Sequence, residues 1–367
     1  MKRICIVCDG HWDQLQGGAE YQLDLLGRAL AERGYDVHYV CYDRGTSFRP
    51  SPVNIIPLSL SGCLAWAFYP YQLLLAPQLY RVLDELKPDI ILNRVGSALT
   101  GLCARYGVSR DVPTVWHVAN ITDLIPMRWK LDRTLFMGWL DKKLMEYGIR
   151  KVDRIIVQAH YQCELLAERF KRNADLMVAN FHPPAQGQPT QSDPSIVLWV
   201  ANVKPKKNPE AFLTLAEQFA GDASVRFVMV GRAWPGGYQD QIEKRIAFLE
   251  NAKYLGEISI DEVNSLMGQA SIFVNTSEVE GFPNTFIQAW LRKVPVVSLQ
   301  FDPDDVLVTH GLGFHSGTSA RMYEDVKQLL EHPEIRREIG SRALAYAEEV
   351  HGIDANVGKV IELIESC

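Results

Sequence analysis

The sequence predicts an α/β protein built from two doubly wound domains, and three observations carry that prediction. Apolar runs of strand length alternate with amphipathic segments at helical spacing, the pattern of parallel βαβ crossovers. The alternation pauses at "NFHPPAQGQPTQSDPS", residues 180–195, which is rich in Pro, Gln and Ser, and then restarts. The chain has 367 residues, against about 100–200 for a typical domain. The expected organisation is a first Rossmann-like domain over residues 1–182, a linker over 183–195, a second such domain over 196–350, and a terminal helix over 351–367 that crosses back to the first.

The elements follow in order. "RICIVCD" is the first strand, "GHWDQLQGGAE" a Gly-containing loop, and "YQLDLLGRALAERG" a helix with Leu23, Leu26 and Leu30 at helical spacing and Gly34 as its stop. "DVHYVCY" is the next strand, so the crossover is parallel and ligands are expected at the carboxyl ends of the strands. "NIIPLSL", the helical "YQLLLAPQLYRVLDELKP", "DIILNRV", "TVWHVAN" and "RIIVQAH" complete the first half. In the second, "IVLWVAN", "VRFVMVG", "AKYLG", "ASIFVNTS" and "VPVVSLQ" read as strands, with "PEAFLTLAEQF" and "IDEVNSLMGQ" among the helices between them. Charged helices fill the chain from about residue 320. Two such domains are expected to face a central cleft, where ligands usually sit. Neither first turn carries G-x-G-x-x-G, which argues against a dinucleotide cofactor.

Composition narrows the class. Hydrophobic residues make up 47% and charged residues 22%, as in an ordinary globular protein. A net charge of -6 argues against nucleic acid as a partner. The seven cysteines are odd in number and scattered, which reads as reduced thiols in a cytoplasm. Cys5 and Cys8 form C-x-x-C inside an apolar strand with no second Cys/His pair, so no metal site is expected there. No secretory leader is evident, and the charge-free run from Pro50 to Tyr80 is broken by prolines and does not read as a membrane span. That run suits an apolar core or a hydrophobic acceptor groove.

The stretch with the densest chemistry is "SEVEGFPNTFIQAW", Ser277 to Trp290. It lies between the strands "SIFVNT" and "PVVSL", so a helix starting near Pro283 to Thr285 has its N-terminus at the carboxyl edge of the sheet. Backbone N–H groups there favour an anion, most commonly phosphate. Pro283 suits the first helical position, where its missing N–H costs nothing. Glu280 on the loop and Gln288 in the helix can address two parts of one ligand with phosphates between them. A nucleotide-sugar has that form, with hydroxyls at both ends and a diphosphate in the middle. Glu278 reads as a solvated neighbour. Arg232, after "VRFVMVG", lies at another carboxyl edge as a further phosphate partner.

"SEVEGFPNTFIQAWLRKVPVVSL" resembles the signature of retaining glycosyltransferase family 4, whose GT-B fold consists of two facing Rossmann-like domains. That signature has a Glu, seven residues, and a second Glu. The resemblance implies that Glu280 contacts donor-sugar hydroxyls, that the backbone of Gly281, Phe282, Pro283, Asn284 and Thr285 meets sugar and phosphate, and that position 288 holds the ribose. Gln288 replaces the second Glu; an amide still bonds a hydroxyl, more weakly by about 1 kcal/mol. "VLWVANVKPKKNPEAF" is similar to the family's strand followed by Arg and Lys, which grip the diphosphate. Lys207 matches the Lys; the Arg position holds Asn202, so Lys204 is expected to supply the second charge, while Lys206 reads as solvated. "QGGAE" resembles the Gly-rich first turn, with Gly17 and Gly18 giving room for backbone to approach a donor phosphate or an acceptor. "TVWHVAN" places His117 where the family has a histidine near the reacting centre.

The activity so implied is retaining transfer of a sugar from a nucleoside-diphosphate donor to a hydroxyl on a saccharide or lipid-linked acceptor, with Glu280, His117 and Lys207 as the catalytic group. The family generally needs no metal or other cofactor, and its common setting is cell-surface polysaccharide or glycolipid assembly at the inner face of the membrane. An epimerase or phosphorylase on the same scaffold is disfavoured by the intact "EGFPNTF" loop. Asn202 and Gln288 motivate another alternative, a non-catalytic nucleotide-sugar-binding subunit. The segment Met127 to Arg154 carries eight basic and four acidic residues with Trp129, Phe136 and Trp139 interleaved. It allows peripheral membrane contact, but its charges do not gather on one helical face, which favours a packed helix.

Overall fold

The structure is a computed structural model and describes residues 2–59, 72–125, 133–187, 190, 192–233 and 237–367. The chain divides into two compact units, Met1–Asn180 with Asp354–Cys367, and Phe181–Ile353. Residues 60–71, with Cys63, and 126–132, with Trp129, lie outside the described residues, so the acceptor-groove and membrane-contact readings fall partly there.

In the first unit, β1 (Arg3–Val7), β2 (Asp36–Tyr42), β3 (Asn54–Leu58), β4 (Ile90–Arg94), β5 (Thr114–His117), β6 (Arg154–Val157) and β7 (Leu176–Met177) form one parallel sheet in the order β3-β2-β1-β4-β5-β6-β7. Ile4, Cys5, Ile6 and Val7 are wholly buried, as expected of a central parallel strand covered on both faces. Helix α1 (Gly18–Glu32) buries Leu23, Leu26 and Leu30 and stops before Gly34, whose φ of 87° lies in the left-handed region. It starts three residues earlier than its leucine spacing indicates, because Gly17 takes the cap position and Glu20 fills the first turn. α2 (Ala76–Leu86), α3 (Ala98–Arg110), α4 (Arg133–Lys151) and α5 (His160–Phe170) follow. No periodicity points to α3, and its burial gives the reason: nine of its residues are inaccessible, so apolar positions run around the helix instead of along one stripe. α3 and α4 cross closely at Gly101 and Gly148; a Cβ on Gly101 would lie 2.1 Å from the Leu144 carbonyl oxygen.

In the second unit, β8 (Ser195–Val200), α6 (Pro209–Gln218), β9 (Val225–Val230), α7 (Gly237–Ala247), β10 (Ala252–Tyr254), α8 (Ile260–Gln269), β11 (Ala270–Asn275), α9 (Asn284–Trp290), β12 (Val296–Ser298), α10 (Val306–His310) and β13 (Gly313–His315) lead into α11 (Ser319–Glu331) and α12 (Pro333–His351). The strands form a parallel sheet ordered β10-β9-β8-β11-β12-β13. Side chains of β8 alternate between two cores: Val197 and Trp199 join Phe212 and Phe227 on one face, and Leu198 joins Phe273, Phe286 and Trp290 on the other. The terminal helix α13 (Ile353–Glu365) belongs mainly to the first unit, where Lys2 Nζ donates to the Ile364 carbonyl at 2.8 Å, Tyr35 donates to Glu365 at 2.7 Å, and Arg33 pairs with Asp354. Among the described residues no helix is long and apolar enough to cross a membrane.

Gly101→Ala forces a methyl group into the Leu144 backbone and should destabilise the first unit by about 1–3 kcal/mol. Gly358→Ala, where a Cβ meets nothing within 4 Å, should be neutral or slightly stabilising. Thermal melts of the two variants compare them directly, and equal melting temperatures would contradict the close-crossing account.

Candidate active site

Each sheet reverses its strand order once, between β1 and β4 in the first unit and between β8 and β11 in the second. At such a point the loops leaving two adjacent strands diverge and open a crevice at the carboxyl edge. Of the residues singled out from the sequence, Gly17 and Gly18 follow β1, Asn202, Lys204 and Lys207 follow β8, and Glu280 to Thr285 follow β11, while His117 ends β5, Arg232 follows β9 and Gln288 lies inside α9.

In the second unit, the chain leaving β8 passes the half-buried Asn202 and bridges Val203 to Ala233, beyond β9. Gly231 permits this passage: its φ is 145°, and a Cβ there would lie 1.7 Å from the Ala201 carbonyl oxygen. Exposed Lys204 precedes a short 3-10 turn, Pro205–Lys207, and Asn208 then caps α6 by accepting the Ala211 N–H at 3.3 Å. The chain leaving β11 meets this loop at Thr276, which is wholly buried. The Thr276 hydroxyl accepts from Trp199 Nε1 at 2.9 Å and donates to the Lys207 carbonyl at 2.7 Å. Glu278 adds a backbone bond, its N–H donating to the Lys206 carbonyl at 3.1 Å. Tied together in this way, the two loops bring Lys207 Nζ and Glu280 Oε1 into an ion pair whose side chains are 24% and 15% exposed.

From Glu280 the chain runs through buried Gly281 and Phe282 to Pro283, which is the cap residue of α9 and stands one position ahead of the first-turn place expected from the sequence. The cause is its ψ of 117°, which is extended. α9 has seven residues, so it offers the N–H groups of its first turn, around Asn284 and Thr285, more than a long macrodipole. Phe282 packs on His351 at 4.9 Å and Trp290 at 6.2 Å between ring centroids. Below the loop, buried His182 meets Asn284 Oδ1 through Nε2 at 3.4 Å. Gln288 is 4% exposed, and its amide donates to Asn264 Oδ1 at 3.1 Å, so its nearest polar partner is a neutral amide on α8. Arg232 is exposed and lies 3.7 Å from the exposed Glu257, a contact of little strength.

In the first unit, Gly17 caps α1 and Gly18 opens it. The space beside Gly17 that a Cβ would fill is taken by the carboxylate of Glu20, 2.2 Å from that position. Glu20 is buried, and its burial, with Asp9 adding in the same direction, pushes its carboxyl up to about 7, against the pull of Arg94 and Arg44. Ser97, which caps α3, donates to Asp9 Oδ1 at 3.0 Å. His117 closes β5 beside Arg94, the last residue of β4. Burial, and then the Arg94 cation, hold the imidazole well below the ordinary histidine range. Its Nε2 is buried without a hydrogen-bond partner among the described residues. Asp123 receives the backbone N–H groups of Ala119 and Asn120 at 3.1 and 3.0 Å in the loop beyond.

The geometry thus joins Lys207 to Glu280, continues from Glu280 into Gly281–Thr285, and keeps Asn202 and Lys204 on the neighbouring loop. It sends Gln288 toward Asn264 and Arg232 toward Glu257, while Gly17, Gly18 and His117 belong to the first unit. Thr276, Arg94, Glu20 and His182 were not singled out from the sequence. A polar or charged residue at the end of an otherwise apolar strand, as in "DIILNRV" and "SIFVNTS", is the signal that finds the first two. Among the described residues no group of three or more His, Cys, Asp and Glu is placed to hold a metal ion.

Comparison with known proteins adds to this geometry. The family model described as "Glycosyl transferases group 1" matches residues 185–345, and that described as "Glycosyltransferase Family 4" matches residues 16–179. The chain is 22% identical over 350 residues to the N-acetyl-alpha-D-glucosaminyl L-malate synthase of Bacillus anthracis, covering 89% of this chain and 88% of that one. Among solved structures, HepE of Anabaena in complex with UDP and glucose superposes with a TM-score of 0.77 at 18% identity, covering 100% of both chains. Sucrose-phosphate synthase from Thermosynechococcus elongatus superposes with a TM-score of 0.79 at 15% identity, over 100% of this chain and 99% of that one.

Burial of His182 beneath the Asn284 loop has a measurable consequence. Desolvation pulls its imidazole down to about 3; the Asn284 oxygen opposes this, and His351 and Arg292 reinforce it. The unfolded chain takes up this proton near the ordinary value of about 6.5, and the folded unit does so only near 3. Stability should therefore fall as pH drops through that window, by up to about 1.4 kcal/mol per pH unit. In urea titrations across the window, His182→Gln, which keeps an amide donor for Asn284, should remove about one proton's worth of this slope. An unchanged slope would contradict the assignment.

Proposed function

This chain belongs to glycosyltransferase family 4, has the GT-B fold and is a glycosyltransferase, and from that premise we propose that it transfers a sugar, with retention, from a UDP-sugar to a hydroxyl acceptor. The observation that carries the reading is the Lys207–Glu280 pair, fixed by Thr276 where the second sheet reverses its strand order. UDP is the donor nucleotide we favour because HepE, of like fold, is described in complex with UDP and glucose. N-Acetylglucosamine is the first sugar to try because the Bacillus anthracis relative is named for an N-acetylglucosaminyl product.

In this reading the diphosphate arrives at Lys207 and replaces Glu280 as its counter-charge. The carboxylate is then available to accept from a donor-sugar hydroxyl. Departure of the diphosphate concentrates negative charge on its leaving oxygen, and a cation already held in place stabilises that charge without reorganising. Lys204, on the same loop, adds a second charge, and the first turn of α9, with Asn284 and Thr285, supplies N–H donors. The backbone of Gly281, Phe282 and Pro283 follows the sugar, Gln288 bonds the ribose, and Asn202 and Arg232 complete the phosphate surroundings. On the first unit, His117 presents a neutral hydrogen-bond donor suited to a sugar hydroxyl. The acceptor hydroxyl adds to the anomeric carbon on the face the diphosphate leaves, and a phosphate oxygen takes its proton. No metal enters this scheme. The acceptor is a saccharide or lipid-linked hydroxyl of cell-surface polysaccharide or glycolipid assembly, met at the cytoplasmic face of the membrane.

A thermal-shift titration with UDP, GDP, ADP, CMP and their sugar conjugates tests the donor site. UDP at about 100 times its Kd should stabilise the protein by about 2.7 kcal/mol. Lys207→Ala should weaken UDP binding roughly 10- to 100-fold, the worth of a charge-assisted bond. Glu280→Ala should leave UDP binding within a few-fold and reduce turnover of the sugar conjugate. Equal UDP affinity in wild type and Lys207→Ala would overturn the assignment.

A further inference from the structure

We propose that Arg94 is a positioning residue for the transfer reaction, fixing His117 as an imidazole whose single proton sits on Nε2. The inference rests on the reading of His117 given above and goes beyond it by naming what sets the state of that side chain.

Arg94 and His117 are the last residues of adjacent parallel strands and are paired in register, so both side chains leave the same face of the sheet at its carboxyl edge. Arg94 is 2% exposed, and among the described residues the carboxylates that act on it, Glu20 and Asp123, do so through space without a hydrogen bond to its guanidinium. A guanidinium buried without a salt bridge is costly, so its presence at the functional edge needs a reason. Its bonds supply one. Nη2 donates to Asn180 Oδ1 at 2.7 Å, which fixes the plane of the group, and Nη1 lies 3.4 Å from Nδ1 of His117.

A guanidinium only donates, so Nδ1 of His117 must present its lone pair, and the ring proton is left on Nε2. That Nε2 is buried and has no partner among the described residues. A buried donor without an acceptor is unfavourable until an incoming oxygen takes it. His117 is thereby restricted to donating. Burial first, and then the charge of Arg94, keep the ring neutral; Glu20 on α1 and Asp123 beyond β5 act on Arg94 itself. On the other side, β6 contributes Ile156 beside His117 in register and no charge. A lysine at position 94 offers one point donor where the planar fork serves Asn180 and His117 together.

The test is spectroscopic and starts with the wild-type protein. In histidine-labelled 15N protein, long-range proton–nitrogen spectra report which ring nitrogen carries the proton, with His117→Gln identifying the signal. The wild type should show Nε2–H and no titration between about pH 5 and pH 8. In Arg94→Met the proton should redistribute toward Nδ1 or the ring should titrate within that range, and Arg94→Lys should fall between the two. With UDP-N-acetylglucosamine as the probe, Arg94→Met should release UDP more slowly by on the order of 10²-fold, while the thermal shift produced by UDP alone stays as in wild type. A proton on Nδ1 in the wild type, or an unchanged His117 spectrum in Arg94→Met, overturns the proposal. If Arg94→Met does not fold, the wild-type tautomer and Arg94→Lys decide by the same criteria. His117→Ala separates the two levels of inference: undiminished UDP release would remove His117 from the reaction, and Arg94 with it, whatever its tautomer.

Discussion

In each unit the constraint on which the rest depends is the single reversal of strand order in a parallel sheet. A parallel sheet buries both faces under helices, so its core positions are closed to polar chemistry. Functional groups have to sit where strands end, and the loops from β1 and β4, or from β8 and β11, separate there because their helices lie on opposite faces. The continuous burial of Ile4–Val7 and the alternation of Val197, Leu198 and Trp199 between two cores hold these strand ends in place. Loops anchored on such strands inherit their rigidity. Thr276 is the clearest case, because one hydroxyl bonds both the indole of β8's Trp199 and the carbonyl of Lys207. The lysine is positioned through its backbone, and its ammonium is held separately, by Glu280.

The two units handle buried charge differently. At the second unit's edge, opposite charges meet directly in Lys207 and Glu280 and stay partly hydrated. At the first unit's edge the charges are spread out. Arg94 is wholly buried, and its guanidinium is itself pulled down to about 10, while Glu20 is pushed up to about 7. Ionised forms are disfavoured at both ends of that pair because neither gains a contact ion pair to offset desolvation. Gly17 is part of the same arrangement, since the carboxylate of Glu20 occupies the place of its missing side chain. A buried, near-neutral acid there suits a hydroxyl-bearing ligand better than a phosphate.

Much of this was legible in the residues, and what was not has physical causes. Strands with continuous apolar runs and helices with one apolar stripe were readable because their periods are local, as for β1, α1 and α6. α3 was not, because a helix buried nearly all round carries no stripe. β7 and β13, of two and three residues, are short and carry no fully buried apolar run, unlike the equally short β12. In the site, Glu280, Gly281–Thr285 and Lys207 were singled out through the resemblance of "SEVEGFPNTFIQAW" and "VLWVANVKPKKNPEAF" to family motifs, and the structure pairs Lys207 with Glu280. Thr276 and Arg94 act through partners on other strands, Trp199 of β8 and His117 of β5, at separations in sequence of 77 and 23 residues, and no local pattern encodes such pairs. His182 lies in a Pro-rich segment that reads as a linker, yet it is buried against Asn284 because the segment packs beneath the α9 loop.

The departures at Asn202 and Gln288 are intelligible on the same terms. A carboxylate at position 288, 4% exposed, would need a cation or several N–H donors to stay ionised; the amide meets Asn264 as a neutral partner and avoids that penalty. Asn202 sits where the chain squeezes past Gly231, with backbone so close that a Cβ on that glycine would meet the Ala201 carbonyl. In the proposed reading, with no cation at 202, neutralising a diphosphate falls to Lys207, whose carbonyl is tied to Thr276, and to exposed Lys204. Two lysines would make a looser clamp than a guanidinium fork, because each acts as a point charge and sets no orientation. Orientation of the leaving group then depends on the backbone N–H groups of the Gly281–Thr285 turn. That turn is held from below by Phe282 on His351 and by His182 at Asn284, so in the proposed reading two buried histidines outside the ligand's reach set the shape of the turn that receives it.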